Sequence, residues 1–97
     1  MRIVSFLKIK DFILKHPDAE IALKDWFTRT KSEDWMNLVE IKNSFNSVDY
    51  VGNNRFVFNI KANHYRLLAI IIFASQKVYI RFIGTHSQYD KINASEI

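Results

Sequence analysis

Apolar residues change their spacing partway along the chain. Up to about residue 42 they recur at intervals of three and four, the period of a helix with one buried face; from Arg55 onward they alternate, the period of a strand. The first half predicts a brief strand at Arg2-Ile3-Val4, then a helix over about Ser5–His16 with Ser5 as its N-cap and Phe6, Ile9, Phe12 and Ile13 on one stripe. Pro17 ends it. Asp18 opens a second helix whose inner face is Ala19, Ala22, Leu23, Trp26, Phe27 and Thr30, so the two helices should form a hairpin. A third, shorter helix is expected from Trp35 to about Lys42, capped from Ser32-Glu33-Asp34 and packed through Trp35, Leu38, Val39 and the stem of Lys42, with 43–47 as loop.

The second half predicts a weak strand at Val48–Val51, a turn at Gly52-Asn53-Asn54, and three strong strands. A two-residue loop at Ala62-Asn63 would set Lys61 opposite His64, Asn59 opposite Arg66 and Val57 opposite Leu68. Tyr65–Phe73, apolar on both faces, should be central. A loop at Ser75-Gln76 would pair Ala74 with Lys77, Ile72 with Tyr79, Ile70 with Arg81, Leu68 with Ile83 and Arg66 with Thr85. In that register Phe56, Phe58, Ile60, Tyr65, Leu67, Ala69, Ile71, Phe73, Val78, Ile80 and Phe82 face the helices. The opposite face gathers Asn59, Lys61, His64, Arg66, Tyr79, Arg81 and Thr85 around Leu68, Ile70, Ile72 and Ile83, and a slip of one residue would reverse a whole strand.

Composition narrows what this architecture serves. Ninety-seven residues, 48% of them hydrophobic, make one domain with a core of its own. The absence of cysteine removes disulfide and thiolate chemistry and fits a reducing compartment. The N-terminus is too broken by charge for a signal peptide, and the longest apolar run, Leu67 to Ala74, is far short of the roughly 20 residues that span a bilayer. A soluble, cytoplasmic protein without membrane association is expected. The +4 net charge lies entirely in residues 50–97, which hold six basic and two acidic side chains. No acidic residue falls between Asp49 and Asp90, a local field suited to a polyanion.

Guanidinium and ammonium groups on one face suit phosphate, and Tyr79 and Tyr89 can stack on bases. RNA scission by the ribose 2′-OH requires no metal; it needs a base, an acid and positive charge on the phosphoryl oxygens. Imidazole ordinarily titrates near neutrality. In Thr85-His86-Ser87-Gln88-Tyr89-Asp90 a cap at Thr85 would start a helical turn that brings His86, Tyr89 and Asp90 together, and Asp90 would orient His86 or pair with an arginine. His64, beside a turn, reads as solvent-exposed. Three scattered histidines make no metal site, and two glycines make no phosphate loop, so neither metal nor small-molecule cofactor is expected.

The blocks Asn54-Arg55-Phe56-Val57-Phe58-Asn59-Ile60, Asn63-His64-Tyr65-Arg66-Leu67 and Tyr79-Ile80-Arg81-Phe82-Ile83-Gly84-Thr85-His86, closed by Tyr89-Asp90, give residues 50–92 a specific resemblance to HigB-type toxins of bacterial type II toxin–antitoxin systems, within the RelE/ParE-like superfamily. The resemblance implies an α+β, RelE-like fold: a small twisted antiparallel sheet of three to four strands, two to three N-terminal helices on one face, and a basic open face. It implies a single toxin domain over 1–97, with helical cover at 1–47, sheet and active-site motif at 48–90 and a tail at 91–97. It further implies ribosome-dependent cleavage of mRNA and neutralisation by a HigA-like helix-turn-helix antitoxin. Arg66, Arg81, His86 and Tyr89 are the catalytic candidates, with His86 moving the proton and the arginines clamping phosphate. Asn59, Lys61, Lys77 and Tyr79 are the candidate RNA contacts. Relatives on the same fold that poison DNA gyrase without cutting anything leave a gyrase inhibitor as an alternative, beside a non-catalytic RNA-binding module.

Overall fold

The computed structural model describes residues 1–97. Its elements are β1 (Arg2–Val4), α1 (Phe6–Lys15), a 3-10 turn (Pro17–Ala19), α2 (Glu20–Ser32), α3 (Leu38–Ser44), β2 (Val48–Gly52), β3 (Arg55–Ile60), β4 (Tyr65–Ile72), β5 (Lys77–Thr85) and a four-residue α4 (His86–Tyr89). The five strands form one sheet in the order β1-β5-β4-β3-β2, with β1 parallel to β5 and all other neighbours antiparallel. The α+β class agrees with the change of spacing along the chain, and the central place of β4 with its being apolar on both faces. The sheet is mixed and larger than expected because Arg2–Val4 joins it as an edge. No helix is long and apolar enough to cross a membrane.

The helical half follows its stripes, with corrections at two caps. Ser5 does not cap α1 through its side chain; it sits at φ 76°, the left-handed bend that turns edge strand into helix. Pro17 stops α1, and α2 begins at Glu20, because the 3-10 turn takes up Pro17–Ala19 and Asp18 points its carboxylate elsewhere. The third helix starts at Leu38, three residues later than expected. Asn37 is its cap: its side chain accepts from the Glu40 N–H at 3.0 Å, while Glu40 accepts from the Met36 N–H at 3.0 Å. That shift puts Ile41 in the core and leaves Val39 67% exposed, against the expected inner face, and it extends the helix through Ser44. Trp35, ahead of the helix, is buried all the same and donates from Nε1 to Ser44 Oγ at 3.0 Å.

Between helices and sheet lies the core. Trp26 meets Phe58 edge-on at 5.4 Å between ring centroids, and Trp35 and Phe45 close around the same ring. Leu67, Ala69, Ile71, Val78 and Ile80 complete the floor. Burial of a side chain such as Phe58 or Leu67 contributes about 1.5–3 kcal/mol, which fixes the sheet face against the helices.

Register decides the rest. The β3/β4 pairs are as the alternation demands: Asn59 opposite Arg66 and Val57 opposite Leu68. The β4/β5 pairs are not. Gln76 at φ 57° closes a four-residue loop, so Ile72 pairs with Lys77 and Ile70 with Tyr79, two residues away from expectation but on the same faces. A bulge then leaves Arg81 without a partner between the pairs Ala69–Ile80 and Leu68–Phe82. Beyond it the parity inverts. Phe82 leaves the helix side, and Ile83 and Thr85, expected on the open face, pair with Leu67 and Tyr65 on the covered one.

The second face is therefore only partly open. Val57 and Leu68 are buried there, outside the helix-side core. The roof is α4 and the chain that follows it, which crosses to β3, where Arg55 donates to the carbonyls of Ile97 (2.8 Å) and Glu96 (3.2 Å) and Asn53 donates to that of Ser95 (2.8 Å). Lys61 and His64 also leave this face. Lys61 at φ 51° has left the strand, and its ammonium meets Asp18 at 2.9 Å on the helix side; exposed His64 has Nδ1 2.8 Å from the Lys61 carbonyl.

Candidate active site

Arg66 stands on the second face of β4 between Asn59 and Gly84 of the flanking strands. Its guanidinium donates to Asn59 Oδ1 and lies 5.4 Å from the centre of the Tyr89 ring, while its buried Nε has no hydrogen-bond partner. Cation and ring hold each other in place, an attraction worth about 0.5–2 kcal/mol.

Tyr89 reaches Arg66 because α4 folds back onto β5. Thr85 Oγ1 accepts from the Gln88 N–H at 3.2 Å, and Gln88 Oε1 accepts from the Thr85 N–H at 2.9 Å, a reciprocal cap that starts the helix immediately after the strand. Gly84 makes the reversal possible: a Cβ there would lie 2.4 Å from Phe82 Cζ and 2.8 Å from Gln88 Oε1. The single turn sets His86 Nδ1 3.2 Å from Asp90 Oδ2, both half-exposed, and puts Tyr89 against Phe82 at 6.4 Å between ring centroids.

Burial, the largest influence on Tyr89, raises its phenol above the ordinary value; Asp49 and Asp90 push the same way and Arg66 opposes them. At neutral pH Tyr89 is thus a protonated donor. Asp49, on edge strand β2, brings a carboxylate to a face whose inner strands have none.

The remaining candidates lie apart. Lys77 and Tyr79 share the face of Arg66 but pair with Ile72 and Ile70, six and four residues along β4, or about 20 and 13 Å at strand rise. Arg81 lines a groove of about 300 Å³ between α1 and β5, together with Lys8, Asp11, Phe12, Lys15, Phe82 and Ile83. Asn59 joins Arg66, and Lys61 is paired with Asp18. Sequence reasoning missed Gly84, Gln88 and Phe82. An isolated glycine late in a strand and the Thr-x-x-Gln spacing were the available signals; nothing foretold the inversion that turns half-buried Phe82 away from the helix-side core.

A five-stranded sheet covered by helices on one side, with an arginine–tyrosine pair and a histidine–aspartate pair gathered at the end of its last strand, defines a small α+β protein with one candidate site. The family can be stated: residues 19–92 match the sequence model of the HigB toxins, RelE-like toxic components of a toxin–antitoxin system, and the chain belongs to that family. It is 29% identical over 97 residues to the mRNA interferase toxin HigB of Escherichia coli strain K12, covering 97% of this chain and 92% of that one. It is 26% identical over 94 residues to the mRNA interferase HigB of E. coli O6:H1 strain CFT073, covering 95% and 91%. An mRNA interferase HigB of Shigella flexneri is also 29% identical over 97 residues.

Proposed function

We propose that this toxin is an mRNA interferase, a metal-independent endoribonuclease that arrests translation by cutting mRNA on the ribosome. The arrangement of α4 carries the reading: one helical turn presents His86, oriented by Asp90, beside Tyr89, which is stacked against Arg66. In the reaction the ribose 2′-oxygen attacks phosphorus and the bond from phosphorus to the 5′-oxygen breaks, leaving a 2′,3′-cyclic phosphate and a 5′-OH. His86 takes the 2′ proton. With Nδ1 held toward Asp90, its Nε2 is the nitrogen free to exchange a proton with substrate. Arg66 neutralises the phosphoryl oxygens as they gain charge, and Asn59 steadies the guanidinium. Tyr89, kept protonated, donates a hydrogen bond in the same place. The 5′-oxygen acquires its proton from a Tyr89 or solvent O–H.

Shallowness supports dependence on the ribosome. The His86 side chain is 53% exposed, so the site does little to hold a flexible RNA in line; the ribosome, which already fixes the message, supplies that alignment. The toxin works in the cytoplasm on this reading, and the antitoxin that its family implies is of the HigA-like helix-turn-helix type.

Induction of the toxin in bacteria followed by mapping of transcript 5′ ends tests the proposal. New ends within translated messages are expected, and His86→Ala should reduce them by about 100-fold or more, the scale of a positioned acid or base. Growth arrest with intact transcripts and accumulated cleaved DNA would replace it with gyrase inhibition.

A further inference from the structure

The groove between α1 and β5 belongs to no part of the reaction above. Its charge is uneven: Lys8 and Lys15 from α1 and Arg81 from the bulge face one carboxylate, Asp11, and none of the three cations has a carboxylate oxygen within 4.0 Å. Lys24, Arg29 and Lys61 are paired with Glu20, Asp25 and Asp18; what sets the groove apart is that it gathers three unpaired cations around a single carboxylate. Lys8 and Lys15 lie seven residues apart on one helix, about 10 Å along its axis, so the groove is charged over its length.

Two further features favour a nucleic acid strand over a small anion. The floor is apolar, made by Phe12, Phe82 and Ile83, which suits ribose and base edges. Strand β1 ends at Val4, opposite Tyr79, and so leaves the outer edge of β5 unpaired from Ile80 onward, beside the groove. The groove is also continuous with the active site, because Phe82 lines it and touches Tyr89.

We infer that this groove is a second RNA subsite: it holds the phosphate backbone of the nucleotides next to those being cut, with Lys8, Lys15 and Arg81 gripping the strand and Phe82 as the step between groove and active site. The inference rests on the interferase reading for its choice of polyanion, and its test does not require cleavage. Fluorescence anisotropy would measure binding of fully 2′-O-methylated, uncleavable oligoribonucleotides of 4 and 12 residues over a range of KCl. The parent should bind the longer RNA more tightly.

Replacing Lys8 and Lys15 together by alanine should abolish that length advantage and make the dependence of log K on log salt shallower by about 1.4, or roughly 0.7 for each phosphate of a single strand that is no longer neutralised. A charge-matched control, Lys10→Ala with Lys42→Ala, removes two exposed lysines outside the groove and should retain the parental slope. Equal slopes for parent and groove variant would overturn the inference, as would an equal fall in the control, which would make the effect one of net charge. A groove variant that binds RNA normally but escapes its antitoxin would assign the surface to a protein partner and overturn it as well. Failure of the interferase reading looks different: the 12-mer binds with parental length dependence, and no transcript is cut.

Discussion

Replacing Gly84 by alanine tests the claim that α4 is held in its working position by the absence of one methyl group. The added Cβ would stand 2.4 Å from Phe82 Cζ and 2.8 Å from Gln88 Oε1, so both neighbours must yield. If Phe82 rotates, it leaves the Tyr89 ring; if Gln88 withdraws, the cap on α4 opens. Overpacking costs about 1–3 kcal/mol and an opened cap typically about 1 kcal/mol; both clashing atoms are the far ends of side chains, which keeps the overpacking at the low end, so a total near 2 kcal/mol is expected. For a chain of this size that is a fall in Tm of roughly 10 °C, leaving the fold intact at growth temperature. Function should suffer far more. A displacement of about 1 Å at His86 and Tyr89 is enough to lose roughly 100-fold in rate, read as primer-extension stops on a translated message. Circular dichroism melts on the same preparation separate the two effects. Parental cleavage by Gly84→Ala, or a loss no greater than its unfolded fraction, would show that α4 does not depend on this close approach.

Tyr89→Phe, which keeps the ring against Arg66, should leave KM near the parental value and lower kcat about 10-fold, whereas Tyr89→Ala should worsen both; equal kinetics for the two variants would refute a separate role for the hydroxyl. Arg81→Ala should raise KM with little change in kcat, since Arg81 lines the groove and not the Arg66–Tyr89 cluster; a selective fall in kcat in steady-state assays would return it to the clamp. The Asp18 cluster gives a pH dependence. Hydrogen bonds from Tyr65 and Lys61 hold the Asp18 carboxyl below its ordinary 3.8, so its contribution to stability is complete above that range and is lost as the pH falls through the folded value. Tyr65 is raised above its ordinary 10.0, chiefly by the same bond, so its share is complete below about pH 10 and lost as the pH climbs past the folded value. In urea titrations the deficit of Asp18→Asn relative to the parent should be present at pH 7 and should shrink toward pH 3; a constant deficit would mean that the carboxylate charge plays no part.

Much of the fold and half of the candidate site were legible in the residues. The β3/β4 register was readable because a short turn joins the two strands and fixes which residues face each other; with it came the pairing of Asn59 with Arg66. Thr85, His86, Tyr89 and Asp90 could be placed together because a helical turn and its cap are local. What escaped was set by geometry that leaves no local trace. Gln76 adopts a left-handed conformation without being glycine, and the bulge at Arg81 has no glycine to announce it. Lys61 read as a groove cation because its partner, Asp18, is 43 positions away in the chain. The third helix was misplaced for a different reason: Ser32-Glu33-Asp34 and Asn37 compete as caps, and Asn37 has a glutamate at the spacing that completes its bond pair.

The unpaired residue at position 81 works as a parity switch. Everything C-terminal to it, the closing helix and its imidazole included, is on the present side of the sheet only because β5 contains one residue more than its neighbour requires. Side-chain substitutions there alter charge, but a one-residue deletion between Ile80 and Phe82 would rotate the whole end of the molecule by half a turn, burying the phenylalanine and carrying the histidine toward the helices. The length of that strand is thus under tighter constraint than the identity of the residue at position 81.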